Sequence, residues 1–188
     1  MDRYSVTRLP VERIDDAIAL VDAGLGTDEK HRTELETLTT FCVIQPSGEL
    51  LGLCTTEIVT NADELSKAMP GLNQERVAEV AALLNYPAGY LHTGVVDERF
   101  RKAGVGTAIL NHINCEWASV PVRSQFASAW ERSDTGVAPA ASVLTAGGLQ
   151  QMLRIPNYWT EDSQARGYPC PSCPGICECA ALVFVRRF

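Results

Sequence analysis

Leu91-His92-Thr93-Gly94-Val95-Val96-Asp97-Glu98-Arg99-Phe100, continuing Arg101-Lys102-Ala103-Gly104-Val105-Gly106-Thr107-Ala108-Ile109-Leu110, is the stretch on which the fold turns. It reads as a hydrophobic strand, a tight glycine-containing turn and a helix. From Gly104 onward Val105, Ile109, Ile113 and Trp117 recur at a spacing of four, and Ala108 and Leu110 widen the stripe. That is the one-faced pattern of a helix packed on a sheet. The turn is basic through Arg101 and Lys102, and Gly104 and Gly106 have no side chains to screen the backbone amides. Unpaired amides, the positive end of a helix dipole and two cations make an anion site suited to a phosphate or pyrophosphate. No Gly-Lys-Ser/Thr follows the glycines, which excludes the P-loop, and the third glycine of the dinucleotide fingerprint is missing. An ordinary strand-to-helix turn that uses glycine for tightness fits these few residues as well.

Composition narrows the class. A chain of 188 residues fits one domain with a sizeable core, and 46% hydrophobic with 21% charged residues is ordinary for a globular protein. The net charge of −7 argues against nucleic acid as the main partner, because phosphate-backbone binding needs a concentrated basic face. The first residues include Asp2, Arg3 and Arg8 with no long apolar run behind them, so neither a signal peptide nor a membrane span is expected and the cytoplasm is the expected compartment.

Along the chain, Tyr4 to Thr7 reads as a first strand. Val11, Ile14, Ala17, Ile18 and Val21 mark one face of a helix that ends at Gly24 and Gly26. Thr27 to Thr40 reads as a second helix with Thr33 and Glu36 spaced as a capping box. Phe41–Ile44 and Leu50–Val59 flank Gln45-Pro46-Ser47-Gly48-Glu49 as a hairpin. Asn61 to Tyr86 is helical with a break at Pro70-Gly71, and is read as a packed helical insertion rather than a lid. After the central helix, which runs to Ser119, come a strand over Ser124–Trp130, a short helix over Pro139–Ala146 and a strand over Gln150–Ile155. Ala180–Val185 is apolar at every position, as in a strand covered on both faces. The fold class is therefore α/β (α+β), a mixed central sheet of about six to seven strands flanked by helices.

Arg101-x-x-Gly104-x-Gly106 between a hydrophobic strand and an amphipathic helix resembles the acyl-CoA-binding motif of the GNAT N-acetyltransferase superfamily. The order of elements resembles that family along essentially the whole chain. So do the short helix running into Gly148-Leu149 and the turn Ile155-Pro156-Asn157-Tyr158-Trp159. The resemblance implies a single domain over residues 1–188 that binds acetyl-CoA and transfers its acetyl group to a primary amine, on a small molecule or a protein. It implies that Val95 and Val96 offer backbone pairing to the pantetheine arm. Arg101, Lys102, Ala103, Gly104, Val105 and Gly106 would surround the pyrophosphate, with Thr107 at the helix start. The partners implied are acetyl-CoA and an amine, without nucleic acid or membrane; a homodimer is compatible.

The catalytic acid and base are not assigned by this reading. Many GNAT enzymes place a tyrosine five residues before the phenylalanine of Gly-Phe; counting back from Leu149 gives Leu144, which cannot donate a proton. Tyr158 is the nearest tyrosine and reads as a packed residue. His92 has the intrinsic pKa of a base, and regular strand alternation would place it on one face with Gly94 and Val96. Glu57 on the preceding strand is comparable, while Asp97 and Glu98 read as solvated. The loss of the acid motivates an alternative: a non-catalytic acyl-CoA-binding sensor or a zinc-stapled interaction domain.

Of seven cysteines, Cys42, Cys54 and Cys115 stand singly in apolar surroundings and read as small buried hydrophobes. Cys170, Cys173, Cys177 and Cys179 have the spacing C-x2-C-x3-C-x-C. The first pair can form a tight knuckle, and the second pair, on an incoming strand, would place both sulfurs on one face. Such a set suits a closed structural zinc site in a knuckle-like loop over 170–179; an iron–sulfur cluster, disulfides or free thiols remain alternatives.

Overall fold

A computed structural model of the protein describes residues 5–167 and 170–188. Its frame is a seven-stranded sheet of β1 (Ser5–Arg8), β2 (Thr39–Ile44), β3 (Leu50–Val59), β4 (Ala88–Val96), β5 (Ser124–Glu131), β6 (Gln150–Ile155) and β7 (Ala180–Arg187). The spatial order is β1-β2-β3-β4-β5-β7-β6, and every neighbouring pair is antiparallel except β4 and β5. The helices are α1 (Ile14–Leu25), α2 (Lys30–Thr37), α3 (Ala62–Ala68), α4 (Gln74–Leu83), α5 (Val105–Trp117), α6 (Ala141–Ala146) and α7 (Thr160–Arg166). Tyr4, read as part of the first strand, lies outside the described residues.

The central helix lies on one face of the sheet as its spacing predicts. Val105, Ile109, Leu110, Ile113 and Trp117 are buried against Phe41, Leu91, Ala127 and Phe184. Strand β7 is covered on both sides: Leu182 and Phe184 enter that core, while Ala181, Val183 and Val185 enter the opposite one with Leu65, Val80, Leu84 and Tyr90. The helical insertion packs on this second face. A third cluster joins Ala17, Val21 and Leu35 of α1 and α2 to Leu53 and Val95.

Close packing of α5 on the sheet requires Gly89 of β4, because a Cβ there would lie 2.5 Å from Cζ3 of Trp117. Gly89→Ala is expected to cost about 1–3 kcal/mol through overpacking. In a melting experiment that is a Tm lower by roughly 3–10 °C.

Several expectations are corrected. Thr33 sits inside α2; Glu29 holds the cap position without a side-chain bond, and Asp28 just before it accepts the Lys30 N–H on Oδ1 at 3.0 Å. Val11 is 80% exposed and lies in a 3-10 turn before α1, whose buried residues are Ala17 and Val21 alone. Cys115 is exposed, since it falls with Thr107 and Asn111 at a spacing of four on the outer side of α5. Helix α7 carries no apolar stripe, with only Ser163 buried, and so has no periodic signal.

Two irregularities of β4 create the site. Its pairing with β5 covers only Ala88–Leu91 against Ser124–Ala127, after which β4 stays with β3 and β5 stays with β7. The sheet therefore opens between His92–Val96 and Ser128–Glu131. Opposite β3 the register steps from Leu91↔Thr56 to Gly94↔Cys54, so His92 and Thr93 together face Thr55, whose Oγ1 accepts the Thr93 N–H at 3.0 Å. The extra residue of this bulge reverses the side-chain alternation. Leu91 and Val96 both face α5, while Tyr90 and Val95 both face the other side. His92 and Val96 consequently do not share a face, contrary to regular alternation.

Candidate active site

The opening in the sheet forms a cleft of about 1220 Å³. At one end lies the glycine turn. Asp97 accepts the Arg99 N–H at 2.9 Å and caps a short 3-10 turn over Glu98–Phe100. It also holds the Arg99 guanidinium at 2.6 Å, which Glu49 shares at 2.7 Å, and this pairing keeps the Asp97 carboxyl below its ordinary pKa. Asp97 is thus a structural cap rather than a merely solvated side chain. Arg101 and Lys102 make no ion pair among the described residues, although Arg101 Nε donates to the Val96 carbonyl at 3.4 Å.

Lys102 and Gly104 adopt positive φ, 63° and 86°, which directs the chain sharply into α5. Ala108 N–H to Gly104 C=O, 2.9 Å, opens the helix ladder, so earlier amides have no partner within the helix. A Cβ at Gly106 would meet Val143 at 3.4 Å, so the position is confined as well as bare. Val95, Val96, Arg101, Lys102, Gly104, Val105, Gly106 and Thr107 all border the cleft; Ala103 does not, and its amide is taken by the Phe100 carbonyl at 3.3 Å. Among the described residues, the edge of β4 facing the opening has no strand partner beyond Leu91.

At the other end, the bulge turns His92 and Thr93 toward α2. Thr93 Oγ1 donates to Glu34 at 3.1 Å and lies 3.2 Å from His92 Nδ1. The imidazole stands 3.7 Å from Glu34 and 4.0 Å from Glu57, with its ring edge-on to Tyr90 at 5.0 Å. Burial pushes the His92 pKa below 6.5, outweighing the attraction of Glu34. Burial, then the neighbouring Glu34 and Glu64, pushes Glu57 upward from 4.5. The cluster therefore holds a neutral imidazole near neutral pH, beside a carboxyl whose proton affinity is enhanced, an arrangement fitted to accept a proton. Of this cluster the sequence pointed to His92 and Glu57; Glu34 joins from 59 residues away and carries no signal in the sequence. Leu144 is buried, and Tyr158 is 8% exposed with its ring against the site of Gly71.

The four C-terminal cysteines close the remaining wall, with Cys170, Pro171 and Cys177 bordering the cleft. Their sulfurs all lie within 4.8 Å of one another. The contacts Cys177–Cys170, Cys173–Cys179 and Cys170–Cys179 measure 3.5, 3.6 and 3.9 Å. These are far from a disulfide bond of about 2.05 Å. They match the edge of a sulfur tetrahedron around zinc, about 3.8 Å for Zn–S bonds of about 2.3 Å. Backbone amides of Ser133 and Glu178 point at Cys179 and Cys173 at 3.4 Å, and Ser133 Oγ lies 3.0 Å from Cys173, the donors that thiolate ligands require. One expectation is corrected: Cys177 and Cys179 precede β7, which starts at Ala180; Cys177 is fixed instead by α7, where Ser163 Oγ accepts its N–H at 3.2 Å, and Cys179 by the Ser133 amide.

No family model matches the sequence, and no curated protein matches it. Solved structures do. NAA60 of Arabidopsis thaliana, in complex with acetyl-CoA, superposes with a TM-score of 0.69 over 98% of both chains at 15% identity. The fold is that of the GNAT acetyltransferases. The ribosomal-protein-S18-alanine N-acetyltransferase of Escherichia coli gives 0.64 over 98% of this chain and 93% of its own at 14% identity. A GNAT family acetyltransferase from Elizabethkingia anophelis with acetyl-CoA bound gives 0.63 over the full length of both chains at 9% identity. The GNAT fold accounts for the seven-stranded mixed sheet.

Proposed function

We propose that the protein is an acetyl-CoA-dependent N-acetyltransferase acting on a primary amine. One observation carries the reading: the edge of β4 left unpaired among the described residues runs from a basic turn with free amides to a half-buried His92–Glu34–Glu57 cluster. The pyrophosphate would sit over Lys102, Gly104, Val105 and Gly106, with Arg101 and Thr107 beside it. The pantetheine arm would pair with the backbone of Val95 and Val96 as an added strand. A ligand so anchored ends where β4 and β5 rejoin, at Leu91 and Ala127, which brings its thioester next to the cluster.

The acceptor amine must be neutral to attack. His92 takes its proton directly or through a water, and Glu34 and Glu57 stabilise the imidazolium that results. The amine nitrogen then bonds to the carbonyl carbon, and the oxyanion is met by a backbone amide of the free β4 edge. Collapse expels the thiolate.

Cys170, Cys173, Cys177 and Cys179 would hold a structural zinc ion, which supplies rigidity to the cleft wall and no chemistry. The cytoplasm, where such thiols stay reduced, is the proposed compartment. A second reading, binding without turnover, is favoured by Leu144 in the place of an acid. Release of free CoA thiol from acetyl-CoA, measured over a panel of small amines and amine-bearing peptides, separates the two. Amine-dependent release supports the enzyme, and acetyl-CoA binding with no release from any acceptor supports the sensor.

A further inference from the structure

Tyr90 and Ser128 stand on either side of the point where β4 and β5 part, one residue from the last paired positions Leu91 and Ala127. Tyr90 Oη and Ser128 Oγ are 2.7 Å apart, and both residues border the cleft. Two hydroxyls bring two hydrogens, and this contact consumes one. Neither oxygen has another hydrogen-bond partner among the described residues. One O–H is therefore left for the cleft.

The packing decides which. Tyr90 is 3% exposed, stacked on Phe126 at 4.5 Å and 5°, and edge-on to His92. Its hydrogen is confined to the ring plane, and burial holds the phenol protonated well above its ordinary pKa. Ser128 is half-buried and its hydroxyl rotates freely about Cβ–Oγ. The low-energy arrangement has Tyr90 donating to Ser128 Oγ, which turns the Ser128 hydrogen outward.

From this we infer that Ser128 donates a hydrogen bond to the sulfur of the bound thioester, with Tyr90 as the residue that positions it. The inference rests on the acetyltransferase reading. As the amine nitrogen bonds to the carbonyl carbon and the C–S bond breaks, the bonding pair moves onto sulfur. The Ser128 O–H strengthens its hydrogen bond to that growing charge and keeps its proton; the thiolate takes one from water as CoA departs. A donor that gains strength only as charge develops lowers the barrier without tightening ground-state binding. It stabilises the leaving thiolate by hydrogen bonding, which the apolar Leu144 cannot do.

The test compares Ser128→Ala, Ser128→Thr and Tyr90→Phe with the wild type in metal-replete protein, reading kcat by thiol release and acetyl-CoA affinity by melting shift. Ser128→Ala should lower kcat roughly 100-fold, the loss typical of one fixed donor to a developing charge. Its affinity for acetyl-CoA should stay within about twofold, because ground and transition states are bound differently here. Ser128→Thr keeps the hydroxyl and should recover most of the rate. Tyr90→Phe should lower kcat about tenfold, by releasing the serine hydrogen to point elsewhere. Wild-type kcat in Ser128→Ala or Tyr90→Phe overturns the assignment and leaves the acetyltransferase intact. If Ser128→Ala misfolds, a Ser128→Thr variant that folds and binds acetyl-CoA but loses roughly 100-fold in kcat overturns it as well. A wild type that neither binds acetyl-CoA nor releases thiol overturns the inference together with the function.

Discussion

Cys179→Ser is expected to lower the melting temperature by about 10 °C and to abolish bound metal. The side chain is fully buried, and its sulfur lies within 3.6 to 3.9 Å of Cys173 and Cys170 while accepting the Ser133 amide. A serine oxygen is too short and too hard to complete the set, so the other three thiolates would be held together without the charge that offsets their repulsion. Loss of a structural metal is among the few single changes worth on the order of 4 kcal/mol, roughly 8–16 °C for a chain of this length. The damage should spread, because the knuckle ties the end of β5 to α7 through Ser133, Ser163 and the Cys177 backbone. Cys115→Ser is the control: that residue is exposed on α5, away from the cluster, and should leave both readings unchanged. Metal analysis should find one equivalent of zinc in the wild type and in Cys115→Ser. Metal-free wild type with an unshifted Cys179→Ser melt would contradict the assignment.

His92→Gln is expected to lower kcat about 100-fold, the usual contribution of a positioned base, with acetyl-CoA affinity unchanged. The pH dependence supplies the sharper sign. Below its pKa His92 carries the proton and cannot accept another, so kcat rises as pH increases through that value. Burial lowers the value, so the wild-type limb belongs below 6.5, not above it. Glu57 moves the opposite way, so a second limb from it lies above 4.5 and approaches the first. In His92→Gln the limb that belongs to His92 should vanish and only the one from Glu57 should persist. A profile identical in wild type and variant would remove His92 from the reaction.

Much of this architecture is legible in the sequence. The strand, basic turn and helix from Leu91 to Trp117 declare themselves because glycine, cation and a spacing of four each have a local cause. The unbroken apolar run Ala180–Val185 of β7 likewise follows from burial on both faces. The cysteine set is legible because its spacing is chemical rather than periodic. What is not legible is what depends on partners far along the chain. A bulge adds one residue without changing composition, so regular alternation misplaces His92 relative to Val96. Glu34 reaches Thr93 across 59 positions and Tyr90 reaches Ser128 across 38, contacts that only the assembled sheet creates. Helix α7 is too short and too polar for its period to show.

The central claim is that the unpaired edge of β4, with the turn at its end, is an acyl-CoA site. Thermal unfolding of metal-replete protein against increasing acetyl-CoA tests it most directly, since a ligand that binds only the folded state must raise Tm in proportion to the logarithm of its concentration. At a hundred times Kd the gain is about 2.7 kcal/mol, or roughly 5–10 °C for a chain of this size. The account predicts that rise, and predicts that Arg101→Glu with Lys102→Glu weakens it. A folded, metal-loaded protein whose Tm does not move at millimolar acetyl-CoA would contradict the account at its root.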